Sequence, residues 1–475
     1  MSARMTLIAA ALLSLTGCAV GPDYQRPQAV LPEQFASAPA GAANDAATLA
    51  DGWWQAFGDA ELNGLVERAL KDSADIRIAL ARIEQTDAVM QQAGAAFFPE
   101  IDLNGNASRI SPSRATWTAN KLTPRPYNDF KLNGLMVAYE LDFWGKFRRA
   151  REAAIAQASG SRLYRDTVRL TLAGSVTSGY VSLRSLDTQL ASSRASLKTR
   201  EAAVAIAQHR YEAGKVSALD VQQAESARAA LEAQVSVLTQ QRELQLHQLA
   251  LLVGAPELEI APRDDLRTLP MPPVPPSGLP ADLLDRRPDV RQAEQSLISY
   301  NAQIGVAKAA LFPSISLTGF FGGESADLSN LFKSSASLWT ATAIVNLPVF
   351  DAGYRLGKLD QATAVQKEAL EQYRKTAQTA YREVLDALVS LRQTAVTEQA
   401  REAQMKAAAN AERISRARYE AGSAAFLELL DAQRSSNDAQ IAFIQAREAR
   451  LNASVAFFKA LGGGWGTGTG PVAQR

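Results

Sequence analysis

Cysteine and histidine are almost absent from this chain of 475 residues, which has one cysteine, Cys18, and two histidines, His209 and His247. A disulfide within the chain is therefore impossible. A zinc site built from Cys and His is disfavoured as well, because a structural site takes four such ligands. Triads that rely on a histidine base are disfavoured too, which leaves carboxylates as the chemistry an enzyme of this composition would use. Charge of one sign is also lacking. Lys+Arg number 50 against 49 Asp+Glu, a net charge of +1 without the basic excess of a nucleic-acid binder. Proline is missing from Tyr127 through Ala255 and again from Val349 through Gly470. Those two stretches can hold helices that nothing of that kind interrupts. What the chain does have, 47% hydrophobic and 21% charged residues, fits an ordered fold.

The start of the chain reads as a targeting segment. Residues 1–17 carry Arg4, then the uncharged, mostly apolar run Thr6–Thr16, which is shorter than the about 20 residues a membrane-spanning helix needs. The run closes on Leu15-Thr16-Gly17-Cys18. This ending resembles the bacterial lipobox, in which the cysteine thiol takes a diacylglyceryl group and becomes the acylated N-terminus. Lipid chains contribute about 0.8 kcal/mol per buried CH₂, so several of them anchor firmly. Ala19 rather than aspartate follows the cysteine, which by the same resemblance implies the outer membrane.

The mature chain repeats itself. Arg210-Tyr211-Glu212-Ala213-Gly214 recurs unchanged as Arg418-Tyr419-Glu420-Ala421-Gly422. Phe98-Pro99-Glu100-Ile101-Asp102-Leu103 is echoed by Phe312-Pro313-Ser314-Ile315-Ser316-Leu317. A period of about 210 residues far exceeds the about 20–50 of a solenoid unit and reads as one duplicated half. The division is a signal peptide 1–17, an extended segment 18–59, a first repeat 60–255 and a Pro-rich connector 256–280. A second repeat 281–462 and a Gly-rich tail 463–475, expected to be mobile, complete it. The first repeat carries the longer insertion, a polar loop around 113–128.

Each repeat passes from helical to alternating pattern and back. Leu62, Leu65, Val66, Ala69 and Leu70 share a helical face, as do Ile76, Leu80, Ile83 and Met90. Alternation then predicts a β-hairpin over 100–143, with Leu135, Val137, Tyr139, Leu141 and Phe143 on one face. The second hairpin, 315–350, alternates Trp339, Ala341, Ala343, Val345, Leu347 and Val349 with Thr340, Thr342 and Asn346. Long helices are predicted over 146–213 and 354–421, each reaching about 100 Å at 1.5 Å per residue. Gly160, Gly174 and Gly179 leave open an ordinary bundle with a break in the first. Gly214 and Gly422 suit the left-handed position past a helix end. Ser217 with Asp220 forms a capping-box pattern for a return helix to about Val253. Ser423 is the corresponding cap of a second return helix, to about Leu461. Glu428 and Asp431, three apart, share a face of that helix, and spacing alone leaves a solvated acidic face open.

Several segments together resemble the TolC-like outer-membrane factor family, in its OprM/NodT-type lipoprotein branch serving resistance-nodulation-division (RND) efflux pumps. They are Cys18-Ala19-Val20-Gly21-Pro22-Asp23-Tyr24-Gln25-Arg26-Pro27, Trp53-Trp54-Gln55-Ala56-Phe57-Gly58-Asp59, Arg286-Arg287-Pro288-Asp289-Val290-Arg291-Gln292-Ala293-Glu294, Ile304-Gly305-Val306-Ala307-Lys308-Ala309-Ala310-Leu311-Phe312-Pro313 and Leu347-Pro348-Val349-Phe350-Asp351. The resemblance implies a mainly α homotrimer with a twelve-stranded outer-membrane barrel, four strands per chain. A long periplasmic α-helical coiled-coil barrel with a mixed α/β belt would continue it. Open sheet edges are not tolerated in lipid, and three chains would supply an even number of strands. Trp144, Phe143, Phe147, Phe312 and Phe350 near the strand ends suit an interfacial aromatic belt.

By resemblance the chain is the outer-membrane channel of a tripartite RND-type efflux system that exports small molecules, without enzymatic activity or cofactor. An alternative is the exit duct of a type I protein secretion system, which the same fold serves. The implied partners are two further copies of the chain, a periplasmic adaptor, an inner-membrane RND pump and outer-membrane lipid, with no nucleic acid. The helix-turn tips Gly214, Gly422, Tyr211 and Tyr419 would meet the adaptor. Glu428 and Asp431 would form a periplasmic gate ring, with Asp220 and Tyr419 as closing contacts. Ala424 stands near the place of an arginine in the enteric archetype, which puts that arginine-centred latch in doubt. An adaptor would show a single helical hairpin, and a carboxylate hydrolase would need a further catalytic domain.

The N-terminal motif generates a direct test. Intact mass of protein purified from membranes should correspond to cleavage before Cys18 plus lipid. A free thiol at that position would rule out the anchor.

Overall fold

The structure, a computed structural model, describes residues 19–28, 31, 32, 35, 52–111, 126–274 and 280–463. The signal peptide, Cys18, loop residues 113–125, connector residues 275–279 and the tail beyond 463 lie outside the described residues. The first repeat contains α1 (Ala60–Asp72), α2 (Ala74–Ala95), β1 (Glu100–Ile110), β2 (Tyr127–Leu141), α3 (Lys146–Glu212) and α4 (Ala218–Val253). The second contains α5 (Asp282–Arg286), α6 (Pro288–Ala309), β3 (Ser314–Ser325), β4 (Ser337–Asn346), α7 (Tyr354–Glu420) and α8 (Phe426–Ala460). Helices α3 and α7 each have 67 residues. Gly160, Gly174 and Gly179 lie inside an unbroken α3, so the broken-bundle alternative is discarded.

Four expectations need correction. Each repeat opens with two helices rather than one. Ser73, extended at ψ 142°, separates α1 from α2, and Arg287, extended at ψ 121°, separates α5 from α6. The residue before a proline avoids the helical region, which accounts for the break at Arg287. Strand β4 ends at Asn346 and not Phe350, because Pro348 has no N–H for the ladder. Strand β2 ends at Leu141 and not Phe143. The Asp142 carboxylate instead accepts from the Phe147 and Arg148 N–H groups, at 3.1 and 3.0 Å, satisfying two orphan donors of α3. Finally, Ser423 does not cap α8. Its hydroxyl donates to the Arg418 carbonyl at 3.0 Å, and the helix starts after Ala425.

The chain divides into two compact units, each discontinuous in sequence. The first comprises residues up to Gln28, Ile83–Gly160 and Ala293–Tyr373. Its centre is one antiparallel sheet in the order β1-β2-β3-β4. Paired residues share a face, so the register shows what each face carries. Leu103 pairs with Leu135, Leu135 with Phe321 and Phe321 with Trp339. Tyr139 pairs with Leu317 and Leu317 with Ala343. The other face carries Glu140, Ser316, Thr318, Thr340 and Thr342. The apolar face runs across all four strands and is open: Leu103 is 76% exposed and Trp339 73%. Strands β1 and β4 each have one edge without a partner strand among the described residues. No helix among the described residues is long and apolar enough to cross a membrane.

A strap at 19–28 lies along the helices of this unit. The Val20 N–H donates to the Trp144 carbonyl at 3.0 Å, and Asn301 Nδ2 donates to the Pro22 carbonyl at 2.9 Å. Arg149 holds Asp23 at 2.6 Å, and Glu294 receives both the Tyr24 hydroxyl and the Arg26 guanidinium. Burial, then the Glu294 charge, raises the Tyr24 phenol above its ordinary pKa. Trp144 stacks on Phe312 at 4.7 Å and donates from Nε1 to the Pro313 carbonyl.

The second unit comprises Ala29–Arg82, Ser161–Gln292 and the chain from Arg374. Its core gathers Trp53, Trp54 and Phe57 from a short 3₁₀ turn with Leu62, Val66, Tyr180, Leu249, Ile444 and Leu451. Trp53 stacks on Phe458 at 5.2 Å. Asp59 caps α1 and also accepts from the buried Tyr180 hydroxyl at 2.8 Å. Beside it, the fully buried Arg184 binds Glu61 at 2.5 Å and Asp187 at 2.9 Å, and Arg242 takes the other oxygen of Asp187. An arginine can lie so deep because carboxylates and the Ala261 carbonyl occupy both of its terminal nitrogens.

The sheet depends on a close approach between β2 and β3. A register shift lies between Leu132 and Leu135, opposite Gly322. A Cβ on Gly322 would come within 2.0 Å of the Leu132 carbonyl oxygen. Gly322→Val should therefore disrupt this pairing, and the variant should lose the three-chain species expected for the wild type by native mass spectrometry in detergent. Gly64→Ala, which meets nothing within 4 Å inside α1, should keep it and stabilise by about 1 kcal/mol.

Candidate functional site

The two copies of Arg-Tyr-Glu-Ala-Gly end α3 and α7 in the same way. Gly214 has φ 66° and Gly422 φ 74°, the left-handed region glycine adopts freely. The Lys215 N–H donates to the Arg210 carbonyl and the Ser423 N–H to the Arg418 carbonyl, both at 2.8 Å. These are the bonds of a Schellman motif, and they reverse the chain into α4 and α8. Both turns belong to the second unit.

Identical pentapeptides have different surroundings. Tyr419 is 8% exposed and packs in a cluster with Ala207, Val221, Phe426, Leu429 and Leu430. Its ring lies 5.4 Å from Phe426, and the Arg210 guanidinium sits 4.7 Å over it. Tyr211 is 46% exposed. Ala424 packs against the cluster.

The predicted acids also part company. The Asp220 carboxylate accepts from both the N–H and the hydroxyl of Ser217, at 3.0 and 3.1 Å, and so opens α4. It makes no hydrogen bond to Tyr419 among the described residues. Glu428 and Asp431 stand in the first turns of α8, as their spacing indicated. Glu428 pairs with Arg418 at 2.6 Å and Asp431 with Arg434 at 2.8 Å. Both pairs are solvated and contribute about 0–1 kcal/mol each. Sequence reasoning missed Arg418 and Arg210 as partners in this cluster. The signal was present, since both lie within the repeated motif.

Deeper along the same helices is a polar cleft of about 690 Å³, lined by Arg200, Gln234, Asp431, Gln433, Arg434 and Asn437. Arg200 is 8% exposed and reaches the Leu430 carbonyl only at 3.4 Å. Burial lowers its pKa from the ordinary arginine value. The arrangement supplies charged and hydrogen-bonding groups at a helix end but no nucleophile paired with a base.

A family model described as outer membrane efflux protein matches residues 65–255 and 279–463. The chain belongs to that family. It is 32% identical to the probable efflux pump outer membrane protein TtgC of Pseudomonas putida, over 100% of this chain and 98% of that protein. It is 34% identical to outer membrane protein OprJ of Pseudomonas aeruginosa, over 98% of each. Among solved structures, the outer-membrane channel OprN superposes with a TM-score of 0.86 at 30% identity, covering 94% of this chain and 100% of that one. The open-state MtrE outer membrane channel of Neisseria gonorrhoeae gives 0.82 at 28% identity, covering 94% and 98%. The long helices and small antiparallel sheet are thus the family's fold, as the sequence resemblance implied.

The tip cluster yields a stability prediction. Tyr419→Ala removes the ring that Phe426 and Arg210 contact, a class of change that costs about 3–5 kcal/mol in a packed site. Amide hydrogen exchange over Phe426–Leu430 should accelerate by well over tenfold. Arg418→Ala should shift it by no more than about 1 kcal/mol.

Proposed function

We propose that this chain forms, as a homotrimer, the outer-membrane exit channel of an RND-type efflux system that passes small molecules from the periplasm to the exterior. The observation that carries this reading is the four-stranded sheet. One face is apolar and open across every strand, and both edges lack partners among the described residues. Lipid satisfies the face, and strands of neighbouring copies satisfy the edges. Three copies make twelve strands, an even number within the range of membrane barrels. Cys18 would add an acyl anchor in the same membrane.

The cargo is set elsewhere. Relatives of 32–34% identity bear names that refer to toluene efflux, antibiotic efflux and pyoverdine export. Similar channels thus go with dissimilar cargoes, which fits selection by an inner-membrane pump. The turns at Gly214 and Gly422, with the exposed Tyr211, are the surface offered to a periplasmic adaptor; Tyr419, expected there as well, is buried beneath it.

Glu428 and Asp431 would line the narrow periplasmic end, three copies of each. Arg418 and Arg434 partly neutralise them, so the resting ring is only weakly negative. Packing around Tyr419, together with the α4 start held by Asp220, opposes the repulsion that remains. Adaptor binding favours the open state by binding it more tightly.

Planar-bilayer recording tests the gate. Replacing Glu428 and Asp431 with Ala should reduce cation preference and raise the multivalent-cation concentration needed for block by roughly tenfold, because such rings attract cations electrostatically. Replacing Arg418 and Arg434 with Ala should do the opposite. Unchanged selectivity in both variants would move the constriction away from these acids.

A further inference from the structure

The two copies of the tip motif are equivalent in sequence but not in contact. Arg210 corresponds to Arg418, Tyr211 to Tyr419 and Asp220 to Glu428, each 208 positions apart. In the first copy, the acid is engaged with Ser217, and Arg210 reaches across to stack on Tyr419 of the second copy. In the second copy, Ala425 occupies the place of Ser217 and provides no side-chain cap. Glu428 is therefore left to take Arg418. Among the described residues no cation lies over the ring of Tyr211, the counterpart of the covered Tyr419, and it stays 46% exposed.

One contact in the repeat pattern is thus made within the chain, and its equivalent is not. In a ring of copies the order of tips is first, second, first, second. The step from first to second lies within a chain, and the step from second to first crosses to the next chain. We propose that Arg418 stacks on Tyr211 of a neighbouring copy, so that each Arg-Tyr contact around the ring is of one kind. This rests on the homotrimer reading above. The fitting partner is a second copy of this chain, because the geometry needed is the one the chain already makes between Arg210 and Tyr419.

The chemistry permits it. Stacking uses the face of a guanidinium, whereas Glu428 and the Ser423 carbonyl hold edges of Arg418 at 2.6 and 3.3 Å. Arg418 is 51% exposed, so its side chain has room to turn its face to a neighbour. A head-to-tail interface of this kind closes into a ring, as cyclic symmetry requires. If Arg418 must leave Glu428 to reach Tyr211, the same contact exposes one carboxylate per chain, which couples the subunit joint to the charge of the ring.

Cross-linking distinguishes the joint within a chain from the joint between chains. In one variant Tyr211 and Arg418 are both replaced by Cys, and in a control Arg210 and Tyr419 are. Each is expressed as the full chain and treated in native membranes with a short bis-maleimide. The first should give covalent dimers and trimers on a denaturing gel, and the control should stay at the monomer position. A first variant that stays monomeric, while native mass spectrometry still gives three chains, overturns the contact and leaves the trimer standing. Absence of the three-chain species in the wild type instead overturns the trimer, and the contact with it. A second readout uses single substitutions. Tyr211→Leu should raise resting conductance by about two- to fivefold, the factor an exposed cation–π contact supplies, and Tyr211→Phe should not. Equal conductance in the Leu and Phe variants also rejects the stack.

Discussion

Backbone hydrogen bonding in lipid is the constraint on which the architecture depends. An N–H or carbonyl left unpaired in hydrocarbon costs several kcal/mol, so a strand there must have neighbours on both sides. Among the described residues, β2 and β3 have them, and β1 and β4 each lack one. Copies of the same chain are the natural supply. The side-chain pattern follows the same logic. Leu103, Leu135, Phe321 and Trp339 align across the sheet because the pleat puts paired residues on one face. Glycine is needed where β2 and β3 come too close for a Cβ, which is why Gly134 and Gly322 oppose each other's backbones.

The second unit solves a different problem, that of ending very long helices and fixing their partners. Buried polar groups give these helices specific partners. Arg184 joins α3 to Glu61 of α1 and to the Ala261 carbonyl, while Arg447 and Arg450 on α8 both hold Glu398 on α7. Arg287, just ahead of α6, binds Asp289, Glu383 and the Ala460 carbonyl. Each of these arginines reaches at least one group distant in sequence, so each favours one arrangement of helices. Removing one partner would strand a charge, which is costlier than never having buried it.

Duplication built both halves from one plan, and the site emerges where the halves differ. A serine in one copy and an alanine in the other at the start of the return helix decides whether the nearby acid caps a helix or binds an arginine. The insertion at 113–128 belongs to one hairpin only. Such differences leave the two halves with unequal tips, so copies of the chain arranged around an axis would meet at joints unlike those within a chain.

Much of the fold was legible in the residues. The Gly214 and Gly422 turns marked the C-terminal ends of α3 and α7 to within one residue, because nothing else in those proline-free stretches ends a helix as sharply. Alternation marked the strands, since a half-buried sheet must alternate, and the acids Glu428 and Asp431 were placed correctly on one helix by spacing alone. The break at Ser73 was not read as such, since a helical face continues across a one-residue interruption, and the five-residue α5 ahead of Pro288 is too short to show a period. The end of β4 was misplaced because Leu347 and Val349 keep the alternation after Pro348 has ended the ladder. What only the tertiary structure decided was partnership. Two identical Arg-Tyr-Glu-Ala-Gly segments carry the same local information, and local information sets the turn. Whether a tyrosine is covered depends on groups such as Ala207 and Arg210, which come from the other half of the chain, and no local pattern encodes that approach.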